Sequence, residues 1–452
     1  MGTTGESERD RLEAREGPAG VRAALDRYFG LTAAGSSIAT ELRAGLATFL
    51  TMAYIMFVNP AILEKAGMDH GAVFVATCLA AALSTIIMGL YANYPIALAP
   101  GMGLNAYFAF TMVPELGGNW QLALGVVFLS GFLFLIISVT PLREWLINAI
   151  PLNLKLGIAA GIGLFLALIG LQHAGIVASD PTTIVTLGDL ANAKALLAIL
   201  GFLAIAGLAS RKVPGAIIFG VIAVTLAAVW LGLEPWHGIA ALPPSLEPTF
   251  LQMDVAGVLR VGLITMVLTL LLVMLLDTAG TLIGVARQAG LLDAEGRLPR
   301  LREALLADSG GAMLGAALGT STNTAYIESA AGVEEGGRTG LTALAVAVLF
   351  LASLFLAPLA QTVPTYATAP ALLFVACLMA TSLGAIEWKD PTDYIPALTI
   401  ALMIPLSYSI ATGIGLGFIA YVALKLMSGR FGDINAASGV IAGAFLLKLI
   451  FV

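Results

Sequence analysis

The chain has 452 residues, of which 59% are hydrophobic and 11% charged, and its mean hydropathy is +0.95. Soluble domains carry about 25% charged residues, and a single core cannot hide this much apolar surface, so a water-soluble globule is excluded and the exterior must face lipid. The net charge of -6 argues against nucleic acid as a partner, and Cys78 and Cys377 sit in apolar runs without Cys or His at metal-ligand spacing, so neither a disulfide framework nor a metal site is expected.

Residues 1–38 form a polar tail in which Arg9, Arg11, Arg15, Arg22 and Arg27 alternate with acids; no apolar stretch follows closely enough for a cleaved signal, and a cytoplasmic arm is expected. From Gly45 onward apolar stretches follow one another: 43–63, 72–92, 98–112, 120–140, 153–173, 190–209, 214–232, 258–283, 304–318, 320–333, 339–360, 366–385, 393–409, 412–427 and 434–451. Most suit a spanning helix of about 20 residues. With the tail inside and the sides alternating, Arg143, Arg211, Lys212, Arg287, Arg297, Arg300, Arg302, Arg338, Lys389 and Arg430 all fall on the tail's side. The loops 174–189, 234–256 and 361–365 carry no Lys or Arg. Fourteen passes return the chain inside near Lys425 and Arg430, which leaves 434–451 as a further span or as a helix packed along the bundle.

A weak internal repeat is visible. Gly45-Leu46-Ala47-Thr48 is echoed by Gly262-Leu263-Ile264-Thr265 at an offset of 262 - 45 = 217, and Ala106-Tyr107 by Ala325-Tyr326 at 326 - 107 = 219. Seven spans per half forces the second half to enter from the opposite side, giving the inverted repeats typical of secondary transporters.

Two segments in corresponding places are too short and too broken for plain helices: Pro100 to Tyr107, and Gly319 to Glu328. Non-helical backbone at membrane depth survives only when buried in protein or lining a wet cavity, so paired breaks mark a substrate site; a packing kink with hydroxyl caps is the plainer alternative. Few acids lie in apolar segments. Asp277 ends a Leu-rich run, Asp308 opens the ninth segment and Glu328 follows the Thr-rich break. An acid at a helix centre costs about 2.5–3.5 kcal/mol, so without a nearby base each implies a ligand, a proton or water, unless it lies near the membrane surface. His70, His173 and His237 fall at segment ends or in loops and read as solvated or capping groups, while Gly413, Gly415 and Gly417 read as close helix packing. No nucleophile-base pair, phosphate-binding loop or metal cluster appears, so an enzyme is not expected.

Asn59-Pro60, Ala99 to Ala106, Asp277 to Leu282, Gly319 to Thr322 and Tyr326 to Val333 closely resemble the AzgA-like hypoxanthine, guanine and adenine permeases of the xanthine/uracil permease (nucleobase-ascorbate transporter) superfamily. The resemblance implies an all-α polytopic membrane protein with a uracil-permease-like fold: fourteen spans in two inverted sevens, with short strands starting spans three and ten. It divides the chain into a tail (1–38), a core domain (39–140 and 257–361) and a gate domain (141–256 and 362–452, with the extra C-terminal segment). It further implies a homodimer through the gate domain, in the cell membrane.

By the same resemblance, substrate lies between the two breaks, held by Asp277 and Glu328. Transport would be driven by a proton gradient and would need no cofactor. Asp277, Glu328 and Asp308 are the coupling candidates, and Asn105, Thr322 and Asn323 line a polar notch. Two departures from the family pattern stand out: Met274 replaces an acid one turn before Asp277, and Asn323 replaces a small apolar residue. Purine N–H groups suit carboxylate acceptors. An anion transporter or channel of the same fold is the alternative; it would favour half-helix N-termini and a base over acids.

Overall fold

The computed structural model describes residue 20 and residues 22–140, 150–293 and 298–451. Arg9, Arg11, Arg15, Arg143 and Arg297 lie outside the described residues. In chain order the first half contains α1 (Ile38–Met52), α2 (Ile55–Glu64), α3 (His70–Ile87), β1 (Leu98–Pro100), α4 (Met102–Tyr107), α5 (Trp120–Val139), α6 (Leu152–His173), β2 (Val177–Asp180), β3 (Ile184–Leu187), α7 (Ala193–Ser210) and α8 (Ala216–Trp230). The second half contains α9 (Val255–Val261), α10 (Ile264–Gln288), α11 (Leu301–Leu318), β4 (Asn323–Ala325), α12 (Ser329–Glu334), α13 (Gly340–Ser353), α14 (Ala357–Thr362), α15 (Thr365–Ala380), α16 (Pro391–Ser407), α17 (Ile410–Met427) and α18 (Ala436–Phe451).

Each apolar stretch read from the sequence thus corresponds to a helix or to a strand followed by a short helix. Among the described residues, nine helices are long and apolar enough to cross a membrane. Their ends carry polar caps that serve the orphan backbone N–H groups: Asp69 accepts from Ala72 N at 2.7 Å, Asn119 from Leu122 N at 2.9 Å and Ser409 from Thr412 N at 3.2 Å.

The helices pack in two groups. In one, α11 lies against α3 and α5, and α13 against α1 and α3; in the other, α6 is flanked by α15 and α16, with α7, α8 and α17 outside them. Small residues set these distances. A Cβ on Gly157 of α6 would stand 2.5 Å from the carbonyl oxygen of Ala397, and one on Gly161 3.1 Å from the Cα of Ala401, so α6 and α16 touch backbone to backbone. The glycines of α17 act similarly: Gly413 meets the backbone of Ile404, Gly417 the side chain of Ile400, and Gly415 makes room for the ring of Phe445 on α18. The C-terminal segment is therefore a helix packed on α17.

Two features differ from the sequence reading. The loop 174–189 contains a hairpin, β2 pairing antiparallel with β3, because Val177, Ile184 and Val185 are β-branched and the Asp180 carboxylate closes the turn by accepting from the N–H groups of Thr182 and Thr183. The repeat offset also changes. Ala106 and Tyr107 are helical in α4, whereas Ala325 ends β4, so the matching dipeptides are not equivalent positions; strand to strand the offset is 323 - 98 = 225. Equivalence follows the break in the helix, and a two-residue match carries too little information to locate it.

One buried acid went unread in the sequence. Glu41, in the first turn of α1, accepts from the backbone N–H groups of Arg338, Thr339 and Thr342 at 3.1, 3.2 and 3.3 Å and from the Thr342 hydroxyl at 2.5 Å, thereby capping α13 from another helix. Glu41→Ala should lower the stability of the detergent-purified protein by about 3 kcal/mol, the scale of lost hydrogen bonds to a charged group. Glu41→Gln, which keeps one acceptor oxygen, should cost less; thermal unfolding of the two variants checks the order.

Candidate functional site

The two broken segments meet as a pair of strands. β1 and β4 run antiparallel with Leu98 opposite Ala325, Ala99 opposite Thr324 and Pro100 opposite Asn323. Proline lacks an N–H, so the ladder continues beyond it through Gly101 N donating to Thr322 O at 3.0 Å, and at the other end Tyr326 N donates to Ala97 O at 3.0 Å. On the outer edge of β1, the Thr85 hydroxyl serves Leu98 twice: it accepts from the amide at 2.9 Å and donates to the carbonyl at 3.0 Å. Ala97 N donates to the Ser329 hydroxyl at 3.0 Å, and the Tyr326 hydroxyl donates to Pro100 O at 2.5 Å. Every one of these partners is a neutral hydroxyl or amide. At Gly103, in the first turn of α4, a Cβ would stand 2.2 Å from Cγ2 of Ile162, so α6 of the other helix group presses directly on the broken segment.

The acids gather on this crossing. The Thr324 hydroxyl lies 3.4 Å from Oδ2 of Asp277 and 3.2 Å from the Thr278 hydroxyl. Thr278 donates to Oδ2 of Asp308 at 2.6 Å, and Oδ1 of Asp308 accepts from Ala325 N at 2.8 Å. Asp308 is thus fully buried in the middle of the described helix α11, where it clasps α10 to β4. Glu328 follows β4 at the start of α12, half-buried, and Oε1 accepts from the Tyr54 hydroxyl at 2.8 Å.

The remaining sequence-predicted residues separate. Asn105, fully buried on α4, accepts through Oδ1 from the Ser321 hydroxyl, and its Nδ2 donor has no partner among the described residues. Thr322 is buried beside the strand pair. Asn323 lies elsewhere: strand alternation turns it away from Thr324, and its Nδ2 donates to the Ser84 hydroxyl at 2.8 Å, between α3 and the glycines Gly311 and Gly315 of α11. Its Oδ1 acceptor, like the Nδ2 donor of Asn105, is buried with no partner among the described residues.

A family model described as Permease family matches residues 39–416. The chain belongs to this xanthine/uracil permease family. It is similar to the adenine permease AdeP of Escherichia coli (46% identical, covering 95% of this chain and 96% of that one) and to the guanine/hypoxanthine permease PbuO of Bacillus subtilis (46% identical, 93% and 99%). The transmembrane domain of a cyanobacterium bicarbonate transporter, BicA, superposes with a TM-score of 0.62 over 85% of this chain and 97% of that domain at 17% identity, so the fold is shared with that transporter. The chain is accordingly a multi-pass membrane transporter and not an enzyme.

Several of the permease's polar contacts were not singled out in the sequence. Tyr54, Thr278 and Thr324 carry the hydroxyls that meet the three acids. Hydroxyl residues inside apolar spans were the available signal, and Tyr54 also sits at the break between α1 and α2. Met274, the departure from the family pattern, is buried in the main apolar cluster, one turn before Thr278. A charge placed in that apolar cluster costs about 2.5–3.5 kcal/mol at a helix centre. Met274→Asp should therefore reduce the folded protein recovered from membranes several-fold, as read by fluorescence-detected size exclusion, with no gain in transport per folded molecule.

Proposed function

We propose that this permease imports purine nucleobases, hypoxanthine, guanine or adenine, by proton symport and alternating access, with no cofactor beyond the proton gradient. The base lies against the crossing of β1 and β4, where Asp277 and Glu328 accept its N–H groups and the unpartnered Nδ2 of Asn105 donates to a ring nitrogen or carbonyl. The observation that carries this reading is a pair of carboxylates at the strand crossing whose partners are hydroxyls and not bases. Such acids keep acceptor capacity for a donor-rich ligand. The names of the adenine and guanine/hypoxanthine permeases to which the chain is similar support the same substrate class.

In this reading the fourteen spans form two inverted sevens, β1 and β4 begin spans three and ten, and the N-terminal tail is cytoplasmic. The helices grouped around α11 make the core (39–140 and 257–361), those grouped around α6 make the gate (141–256 and 362–452), and Ile162 against Gly103 is where the gate meets the substrate segment. The protein acts as a homodimer through the gate. Asp277 carries the transported proton, with Glu328 holding the base; Asp308, whose two oxygens are both engaged, is the second candidate for coupling. An anion carrier of the same fold is disfavoured because carboxylates repel anions.

Uptake of labelled hypoxanthine, guanine and adenine into transporter-deficient cells tests the reading, and absence of any nucleobase uptake with protein present at the membrane rejects it. Glu328→Gln should abolish uptake while leaving the folded protein intact, because the amide turns two donors toward the base's own N–H groups. Asp277→Asn should remove accumulation driven by a pH gradient. If that variant still concentrates purine against its gradient, coupling lies elsewhere.

A further inference from the structure

Glu328 is gripped twice from a single turn of the first span. The Tyr54 hydroxyl donates to Oε1 at 2.8 Å, and the Thr51 hydroxyl lies 3.3 Å from the residue's own backbone carbonyl oxygen. Tyr54 is fully buried at the break between α1 and α2, and its phenol donates to Glu328. An ordinary core tyrosine would find a backbone carbonyl as Tyr326 does; this one spends its donor on a half-buried acid. The final torsion of a glutamate side chain is broad and roughly two-fold, so an unheld carboxylate swings its plane through many orientations. A donor fixed on one oxygen stops that rotation and sets which lone pairs face the ligand.

We propose that Tyr54 is a positioning residue for substrate: by holding Oε1 it fixes the plane of the Glu328 carboxylate so that the second oxygen, Oε2, meets a base N–H already oriented. The inference rests on the reading of Glu328 as a substrate acceptor. Pre-orientation lowers the ordering cost of binding, so its loss appears in KM. A merely structural tyrosine would instead change the amount of working protein, and thus Vmax. The effect also depends on the ligand. Guanine presents a ring N–H and an exocyclic amine side by side, and two donors re-orient a loose carboxylate by engaging both oxygens. Hypoxanthine has no exocyclic amine and cannot do so.

Tyr54→Phe keeps the ring and removes only the hydroxyl. Concentration-dependent uptake should show KM for hypoxanthine raised about tenfold, the scale of one hydrogen bond to a charged group, with Vmax per folded molecule within about twofold of wild type and a smaller rise in KM for guanine. Unchanged KM values, or a fall in Vmax alone, would overturn the proposal. Should the variant reach the membrane poorly, equilibrium binding of labelled hypoxanthine to the detergent-purified protein gives the same comparison. Glu328→Gln is measured alongside: normal binding by it removes the underlying reading, whereas lost binding by it together with unaltered affinity in Tyr54→Phe rejects the role of Tyr54 alone.

Discussion

Everything in this transporter depends on two stretches of non-helical backbone that satisfy each other. A strand at membrane depth exposes N–H and C=O groups that lipid cannot serve, and each unsatisfied group costs several kcal/mol. β1 and β4 come from opposite halves of the chain and each completes the other's ladder. Their outer edges are then closed by side chains from neighbouring helices, with Thr85 of α3 and Ser329 of α12 as the clearest cases. Helix α11 adds a carboxylate, Asp308, that reaches the amide of Ala325. The halves therefore fold around each other at this point, and the acids are carried to it by the same segments.

The polar chemistry of the crossing is built from hydroxyls, and that choice has an electrostatic logic. A lysine or arginine beside Asp277 or Glu328 would lower the cost of the buried charge but would also occupy the carboxylate as a salt bridge. A threonine or tyrosine hydroxyl offers one hydrogen bond and leaves net negative charge and lone pairs for a ligand. Ion pairs form elsewhere: Lys425 with Asp393 and Asp433 at 3.0 and 3.2 Å, Arg430 with Asp390, and Lys194 with Glu234 at 3.8 Å. Of these, Asp390 caps α16, and its carboxyl is held below the usual carboxylate range by the Thr392 hydroxyl and by Arg430.

The helices were legible because a bilayer sets a minimum run length and the sequence obeys it; the breaks were legible because Pro, Gly and a cluster of Thr cannot continue an apolar helix. What remained hidden needed three-dimensional neighbours. Tyr54 in an apolar span reads as core, since aromatic rings are ordinarily there for packing. Glu41 stands where the polar tail gives way to the first span, a place where acids are commonplace, and only the arrival of α13 makes it a cap. The partners of Asn323 were hidden for a different reason. Its type suits a binding notch, but the face on which it lies is decided by strand register, which composition does not reveal.

That register makes β4 behave like a reading frame. Thr324 reaches Asp277 and Thr278 while Asn323 reaches Ser84 on the other side, because successive residues of a strand face opposite ways. Replacing a residue of β4 alters the contacts of that side chain alone. Inserting or deleting one exchanges the two faces for every residue that follows, sending a hydroxyl into the scaffold and an amide toward the acids. A change of length in this segment is therefore a different kind of perturbation from a change of residue: it moves the whole pattern of contacts at once, where a substitution moves one side chain.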